Sequence, residues 1–244
     1  MKAKNSLNRY SIIMSLIVTV CIYFVLESCN GQEFDKNVQQ AYELRINGQA
    51  DSAKVILKQI LAEDSTNAAA WYEIARTKLH MGLGNPRKLM SDMADIQQSA
   101  QNAVDNDPAN VIYQYYLGHI NFLNLYVGLQ TGKKNISEDF SKVVKSYQSV
   151  LVLKPDYHEA KLFLIELYAK IPANMGGDSA KAEKYVRELE EADVVSGAKA
   201  REIVMPENKS RVEFWENINE HQMSNADVYE ALGKAYLYKD NIKE

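Results

Sequence analysis

Apolar residues along most of the chain recur at helical spacing and do not alternate as they would in strands. Ala53, Leu57 and Leu61 lie four residues apart and therefore share one face of a helix. Val143 and Tyr147 show the same spacing later in the chain. The sequence contains 11 glycines and 5 prolines, few for a loop-rich β protein and ordinary for a helical one. The pattern predicts an all-α fold.

Residues 34–67 and the stretch that begins at Ala68 show internal similarity. Ala41 aligns with Ala75 and Gly48 aligns with Gly82, each pair being 34 residues apart. The second copy begins with the sequence Trp-Tyr-Glu-Ile-Ala at 71–75. This resembles the W-x2-L-G opening of a tetratricopeptide repeat (TPR), with Ile for Leu and Ala for Gly.

Later segments carry the same signature. Tyr-Leu-Gly at 116–118 opens one copy, and the segment 229–236 is the best match to a first helix. Pro108 and Pro155 lie where the closing proline of the repeat belongs. The resemblance to the TPR family spans roughly 34–244 and implies an α-solenoid of antiparallel helix pairs.

Two copies are longer than the repeat, around residues 83–91 and 126–138. We interpret these insertions as longer helices and turns, because capping signals, not domain-sized segments, accompany them. The first helix of the third copy is predicted from Asn110 to Leu129. In the fourth copy, Asp178 or Ser179 is expected to cap a helix over 180–191.

A weak fifth unit is predicted over residues 196–225, with Trp215 and Ile218 on the inner face of its second helix. Residues 226–238 then form a well-patterned first helix, and the sequence stops where the second helix would begin. The predicted repeat domain is therefore 37–244, with about five helix pairs and a terminal half-repeat. Either the half-repeat packs on the preceding pair, or the sequence is truncated.

The first 28 residues are predicted to be a signal peptide. Three bases precede a charge-free apolar run, Ser11–Leu26, which is short for a spanning helix. The sequence Leu-Glu-Ser at 26–28 is followed by Cys29, which resembles a bacterial lipoprotein cleavage site, although Glu27 departs from the usual uncharged residue. The resemblance implies lipidation of Cys29 and a short tether over 29–36.

An uncleaved N-terminal anchor and a plain secreted form are the alternatives to lipidation. All three place the remaining chain outside the cytoplasm. By resemblance to enterobacterial sorting, Asn30 after the cysteine favours the outer membrane. The predicted location is therefore the cell envelope, with the repeat domain facing the periplasm or the surface.

Composition removes several function classes. The net charge of −4 shows no basic surplus, so nucleic acid is not the expected partner. Two cysteines and four scattered histidines form no spaced metal-ligand set. His158-Glu159 lacks the second histidine of a zinc motif, and the loop from Gly128 to Lys134 lacks the spacing of a phosphate loop. We therefore expect no enzyme activity, no cofactor and no metal.

The TPR resemblance implies a concave groove lined by the first helices, in which a protein or peptide partner lies. Tyrosine and arginine are favoured at interfaces because they combine a large rigid area with a polar group. Val38 and Tyr42 occupy positions where the family's carboxylate clamp has Lys and Asn, so chaperone-tail binding is not expected. The predicted groove residues are Tyr42, Tyr72, Arg76, His80, Tyr115, His119 and Phe122.

Three functional hypotheses follow. The first is a non-catalytic TPR scaffold at the cell envelope that binds an unidentified protein partner and is held at the membrane by its lipid. The second is an accessory ligand-binding component of a solute-uptake system. The third is the N-terminal module of a longer protein. An open groove would favour the first hypothesis, and a closed apolar cavity would favour the second.

Overall fold

The computed structural model describes residues 36–133, 136–221 and 225–239. Within these ranges all regular structure is helical, with eleven α-helices and one short 3₁₀ helix. The predictions for the signal peptide, for Cys29 and for most of the tether lie outside the described residues. The chain divides into two compact units, with the boundary between Asp107 and Pro108.

The first unit contains four helices. They are α1 (Lys36–Ile46), α2 (Ala50–Glu63), α3 (Ala68–Leu83) and α4 (Pro86–Asn106). α1 pairs with α2 and α3 pairs with α4 through short turns, and α1 also contacts α3. The core between the pairs consists of fully or largely buried apolar side chains: Val38, Ala41, Ala53, Leu57, Ile60, Ala70 and Ile74.

Local sequence sets the turns of the first unit. Gly48 has a φ of 80°, a conformation that suits glycine and ends the α1 segment. The side chain of Asn67 accepts a hydrogen bond of 2.9 Å from the backbone N–H of Ala70 and so caps α3. Asn85 caps α4 in the same way through Lys88. The repeat boundaries are therefore encoded by local polar residues.

The second unit contains seven α-helices within its described residues. They are α5 (Val111–Gln130), α6 (Ser137–Leu153), α7 (His158–Lys170), α8 (Ser179–Ala192), α9 (Val194–Val204), α10 (Arg211–His221) and α11 (Ala226–Lys239). α5 pairs with α6, α7 with α8 and α10 with α11, while α9 contacts both α8 and α7. A 3₁₀ helix, Ala173–Met175, lies in the turn before α8.

The helix pairs confirm the predicted fold class, an all-α TPR-like arrangement of antiparallel helices. First helices of successive repeats lie next to each other within each unit, α1 beside α3 and α7 beside α9. The first helix of the third copy, predicted over 110–129, is α5, with Asn110 as its cap. Asp178 caps α8 as expected. The fifth unit begins two residues earlier than predicted, because Asp193 caps α9.

The insertions lengthen the helices, as the sequence predicts, but the longer turn expected around 83–91 is wrong, because only Gly84 and Asn85 separate α3 from α4. α4 has 21 residues and α5 has 20. Helix α5 is packed closely against α6 at Gly118, where an added Cβ atom would lie 3.0 Å from the Tyr147 ring. The small residue thus makes room for the large one, which is the packing that the TPR pattern implies.

Candidate functional site

Two of the predicted groove residues in the first unit, Tyr72 and Arg76, share one face of α3, and Tyr42 lies on the adjacent helix α1. Tyr42 is partly exposed and Tyr72 is buried. The Arg76 guanidinium carbon lies 5.7 Å from the centre of the Tyr42 ring and 5.2 Å from that of Tyr72. Arg45 approaches Tyr42 as well, at 5.3 Å. The structure therefore brings three of the predicted residues together and adds a second arginine.

Glu73 joins the two arginines. Arg45 Nε donates to Glu73 Oε1 at 2.5 Å, and Arg76 Nη1 donates to Glu73 Oε2 at 3.4 Å. The side chains of Arg45, Arg76 and Glu73 are 9%, 12% and 3% exposed. A single carboxylate thus lies between two guanidinium groups in a largely desolvated place. We call Tyr42, Arg45, Tyr72, Glu73 and Arg76 the arginine–tyrosine cluster.

Arg45 also carries a donor without an acceptor. Its Nη2 atom is buried and has no hydrogen-bond partner among the described residues. An unpaired buried donor costs roughly 1–3 kcal/mol, and more when the group is charged. This cost is part of the price of holding Arg45 against Glu73 and the Tyr42 ring.

His80 does not join the cluster. It lies exposed in the last turn of α3 and makes no hydrogen bond, ion pair or ring contact within the described part of the chain. Nothing in the geometry distinguishes it from an ordinary solvated histidine.

The predicted residues of the second unit form an aromatic cluster. Tyr115, His119 and Phe122 come from α5 at helical spacing, and Tyr147 and Phe163 come from α6 and α7. The Tyr147 and Phe163 rings are stacked with their centres 4.3 Å apart. Phe122 meets Phe163 edge to face at 4.9 Å, and Tyr115 meets His119 at 4.4 Å. Helix packing is the main role of these contacts.

His119 lies inside this aromatic cluster and is only 5% exposed. Its Nδ1 lies 3.0 Å from the Tyr115 carbonyl oxygen and 3.0 Å from the Tyr147 hydroxyl. Burial lowers the pKa of His119 to about 4, so the ring is neutral at pH 7. The structure therefore places His119 in the core, while Tyr115 and Phe122 stay partly exposed.

Sequence reasoning missed three charged residues on the faces of the first helices. Arg45 lies three positions after Tyr42, so the helical spacing that selects Tyr42 also selects Arg45. Glu73 stands next to Tyr72 in the sequence, but its role depends on its two partners in space. Glu166, on α7, is partly exposed, and burial raises the pKa of its carboxyl to about 7 against the opposing effect of Lys170.

No group of three or more His, Cys, Asp or Glu side chains within the described ranges is placed to hold a metal ion. None of the helices that the structure describes combines the length and the apolar character needed to cross a bilayer.

Solved proteins with a similar arrangement include several TPR proteins. One is MamA, with 19% sequence identity over 87% of this chain and 98% of that chain and a TM-score of 0.47. Another is TTC0263, a thermophilic TPR protein of Thermus thermophilus, with 16% identity over 82% of this chain and 97% of that chain and a TM-score of 0.46. YrrB, described as a TPR protein with an unusual peptide-binding site, shows 14% identity over 82% of both chains and a TM-score of 0.45. No protein-family model and no curated protein sequence matches the chain.

Proposed function

We propose that this protein is a non-catalytic scaffold of the TPR type that binds a peptide segment of another protein on the first helices of its repeats. The observation that carries the proposal is the arginine–tyrosine cluster of the first unit. It combines a partly exposed aromatic ring and two arginines on adjacent first helices. Tyrosine and arginine are the residue types that dominate binding energy at protein interfaces.

Tyr42 is the anchor of the proposed site. Its ring lies against both guanidinium groups, which holds it in one orientation before a partner arrives. A rigid aromatic side chain loses little conformational entropy on binding, so its contact area contributes efficiently to affinity. Its partial exposure leaves ring surface for a ligand.

Replacing Tyr42 by alanine is expected to weaken peptide binding about tenfold, because a rigid interface anchor contributes more than ~1 kcal/mol. Peptides are selected on the full chain from a displayed random library and then labelled for fluorescence anisotropy. Tyr229→Ala is the matched control, because Tyr229 is a 52% exposed tyrosine on α11. Equal affinities for the two variants, or a library that yields no binder, would contradict the proposal.

The location is a second part of the proposal. The basic start, the apolar run and the Leu-Glu-Ser-Cys sequence at 26–29 support a lipid anchor on Cys29. A lipid on the first residue of the mature chain would hold the repeat domain at the cell envelope, where its partner would also lie. Outer-membrane attachment is the form that Asn30 favours.

Cys29→Ser is expected to abolish incorporation of labelled palmitate. The variant is expected either to be released into the soluble fraction or to accumulate as the uncleaved precursor. Cys21→Ser is the matched control, because Cys21 lies inside the apolar run that signal cleavage removes. Labelled fatty acid in cultures that express each form measures the outcome. Undiminished labelling of the Cys29→Ser variant would refute lipidation at this residue.

A further inference from the structure

Helix α11 carries apolar and aromatic residues on the side that the core does not cover. Tyr229, Gly233 and Leu237 lie four residues apart and therefore share one side of the helix, and Tyr236 lies beside them. Tyr229, Tyr236 and Leu237 are 52%, 45% and 72% exposed. The opposite side of the helix packs in the core of the second unit. We call Tyr229, Gly233, Tyr236 and Leu237 the α11 face.

Gly233 gives this face the shape of a helix-packing surface. It takes the repeat position of Gly118 on α5, since both glycines follow a leucine in the signature of a first helix. An added Cβ on Gly118 would lie 3.0 Å from the Tyr147 ring of α6, whereas one on Gly233 would meet nothing within 4 Å among the described residues. The same small residue thus packs against a helix in one repeat and leaves room for a helix in the other.

The residues of the α11 face are arranged symmetrically about Gly233. When two copies of α11 meet antiparallel with their Gly233 residues opposite each other, Tyr229 of one copy lies opposite Leu237 of the other, and the same contact forms a second time. The central glycine has no side chain to hold the two backbones apart. A two-fold contact needs this self-complementarity, because the same surface serves both copies.

Charged residues along one edge of the α11 face fit the same arrangement. Glu230 and Lys234 form an ion pair across one turn of α11, and their side chains are 59% and 55% exposed. In the antiparallel pair, each glutamate lies within about 3 Å, measured along the helix axis, of the lysine of the other copy. Two contacts between opposite charges then accompany one contact between the lysines, so the edge attracts a second copy.

We propose that the α11 face binds a second copy of this chain in an antiparallel, two-fold contact centred on Gly233. A parallel pair would instead bring each charge of the edge against its own kind. The contact belongs to the second unit and shares no residue with the arginine–tyrosine cluster of the first, so self-association and peptide binding are separate properties. The face of one helix is a small interface, and we expect an affinity in the micromolar range.

Disulfide trapping tests the register. All variants are made in the full chain with Cys21 and Cys29 replaced by serine, and are purified in mild detergent and oxidised. Gly233→Cys places two thiols at the two-fold axis, whereas antiparallel pairing separates the two Leu237 positions by about 12 Å along the axis, too far for a disulfide. We expect at least ~10-fold more covalent dimer from Gly233→Cys than from Leu237→Cys on a non-reducing gel.

A mixture of two single-cysteine chains controls for loss of the contact. Tyr229 of one copy lies opposite Leu237 of the other, so Tyr229→Cys and Leu237→Cys chains oxidised together are expected to form covalent dimer. Each of them oxidised alone is expected to form at least ~10-fold less. A detergent micelle that merely holds two chains together would link every pair alike.

The charged edge provides a test without a covalent bond. Glu230→Lys makes the edge wholly positive and Lys234→Glu makes it wholly negative, so each variant alone is expected to associate about tenfold more weakly than the parent. An equimolar mixture of the two is expected to regain the parent affinity, because each charge then meets an opposite one. Sedimentation equilibrium in density-matched detergent measures both. Lys145→Glu, which reverses an exposed charge on α6, is expected to leave the affinity unchanged.

Equal trapping at positions 233 and 237 overturns the antiparallel register, and trapping at neither position overturns self-association through α11. If the chain after Lys239 or another protein covers the α11 face, Gly233→Cys yields no covalent dimer, and the proposal fails. Charge variants that stay dissociated when mixed also overturn it. The trapping experiment decides the matter if a charge variant does not fold.

Discussion

Replacing Glu73 by alanine is expected to lower the free energy of unfolding of the first unit by about 3–5 kcal/mol, the cost of breaking a buried ion pair from one side. The carboxylate is 3% exposed and accepts hydrogen bonds from both Arg45 and Arg76. Its removal leaves two desolvated guanidinium groups beside each other with no carboxylate between them. The remaining charges then repel each other, and Arg45 loses its Nε acceptor.

The two tryptophans of the chain allow this measurement to be made on one unit. Trp71 belongs to the first unit and Trp215 to the second. In a Trp215→Phe background, Trp71 fluorescence during urea denaturation follows the first unit alone. Glu43→Ala removes an exposed glutamate from α1 and is expected to change stability by no more than about 0.5 kcal/mol. Equal losses for Glu73→Ala and Glu43→Ala would show that the buried pair contributes little.

The helices could be predicted from the sequence because their signals are local. Asn67 and Asp178 cap helices through hydrogen bonds to backbone groups two or three residues away. Gly118 and Tyr147 lie 29 residues apart, but the repeat pattern relates them, so their packing could be anticipated as well. Helix caps, turns and a fixed repeat length can therefore be recognised in the sequence alone.

The site was less accessible to sequence reasoning because its properties depend on the spatial arrangement of charges. The positions of Tyr42, Tyr72 and Arg76 on the first helices predict them as groove residues, and the structure brings them together. The buried ion pair brings Arg45 and Glu73 to 2.5 Å from each other, although they are 28 residues apart in the sequence. Spacing alone cannot tell whether two such residues pair with each other or with water.

His119 illustrates the same difficulty within the second unit. Its place on α5 matches that of Arg76 on α3, and the sequence therefore predicts it as a groove residue. In the structure, Tyr147 and Phe163 surround it and leave it 5% exposed. Two equivalent repeat positions thus carry a charged cluster in one unit and a neutral core histidine in the other, because the neighbouring side chains differ.

Two titratable groups of the second unit, the buried His119 and the partly exposed Glu166, are expected to give its stability opposite dependences on pH. Burial lowers the pKa of His119 from 6.5 to about 4. The unfolded chain therefore binds more protons between these values, and the free energy of unfolding falls as the pH decreases from 6.5 to 4. Burial raises the pKa of Glu166 from 4.5 to about 7, so the folded chain binds more protons and stability falls as the pH increases from 4.5 to 7.

Each contribution reaches about 3 kcal/mol over its range, since one unit of pKa corresponds to ~1.4 kcal/mol. Because the two contributions oppose each other between pH 4.5 and 6.5, they largely cancel in the parent protein, and single variants reveal them.

In a Trp71→Phe background, Trp215 fluorescence during urea denaturation reports the second unit. Relative to this parent, His119→Gln is expected to gain stability as the pH falls from 6.5 to 4, and Glu166→Gln is expected to lose stability as the pH falls from 7 to 4.5. The variants serve as each other's control, because a general effect of acid on the unit would shift both differences in the same direction. Differences from the parent that stay constant with pH would show that neither group changes its affinity for protons on folding.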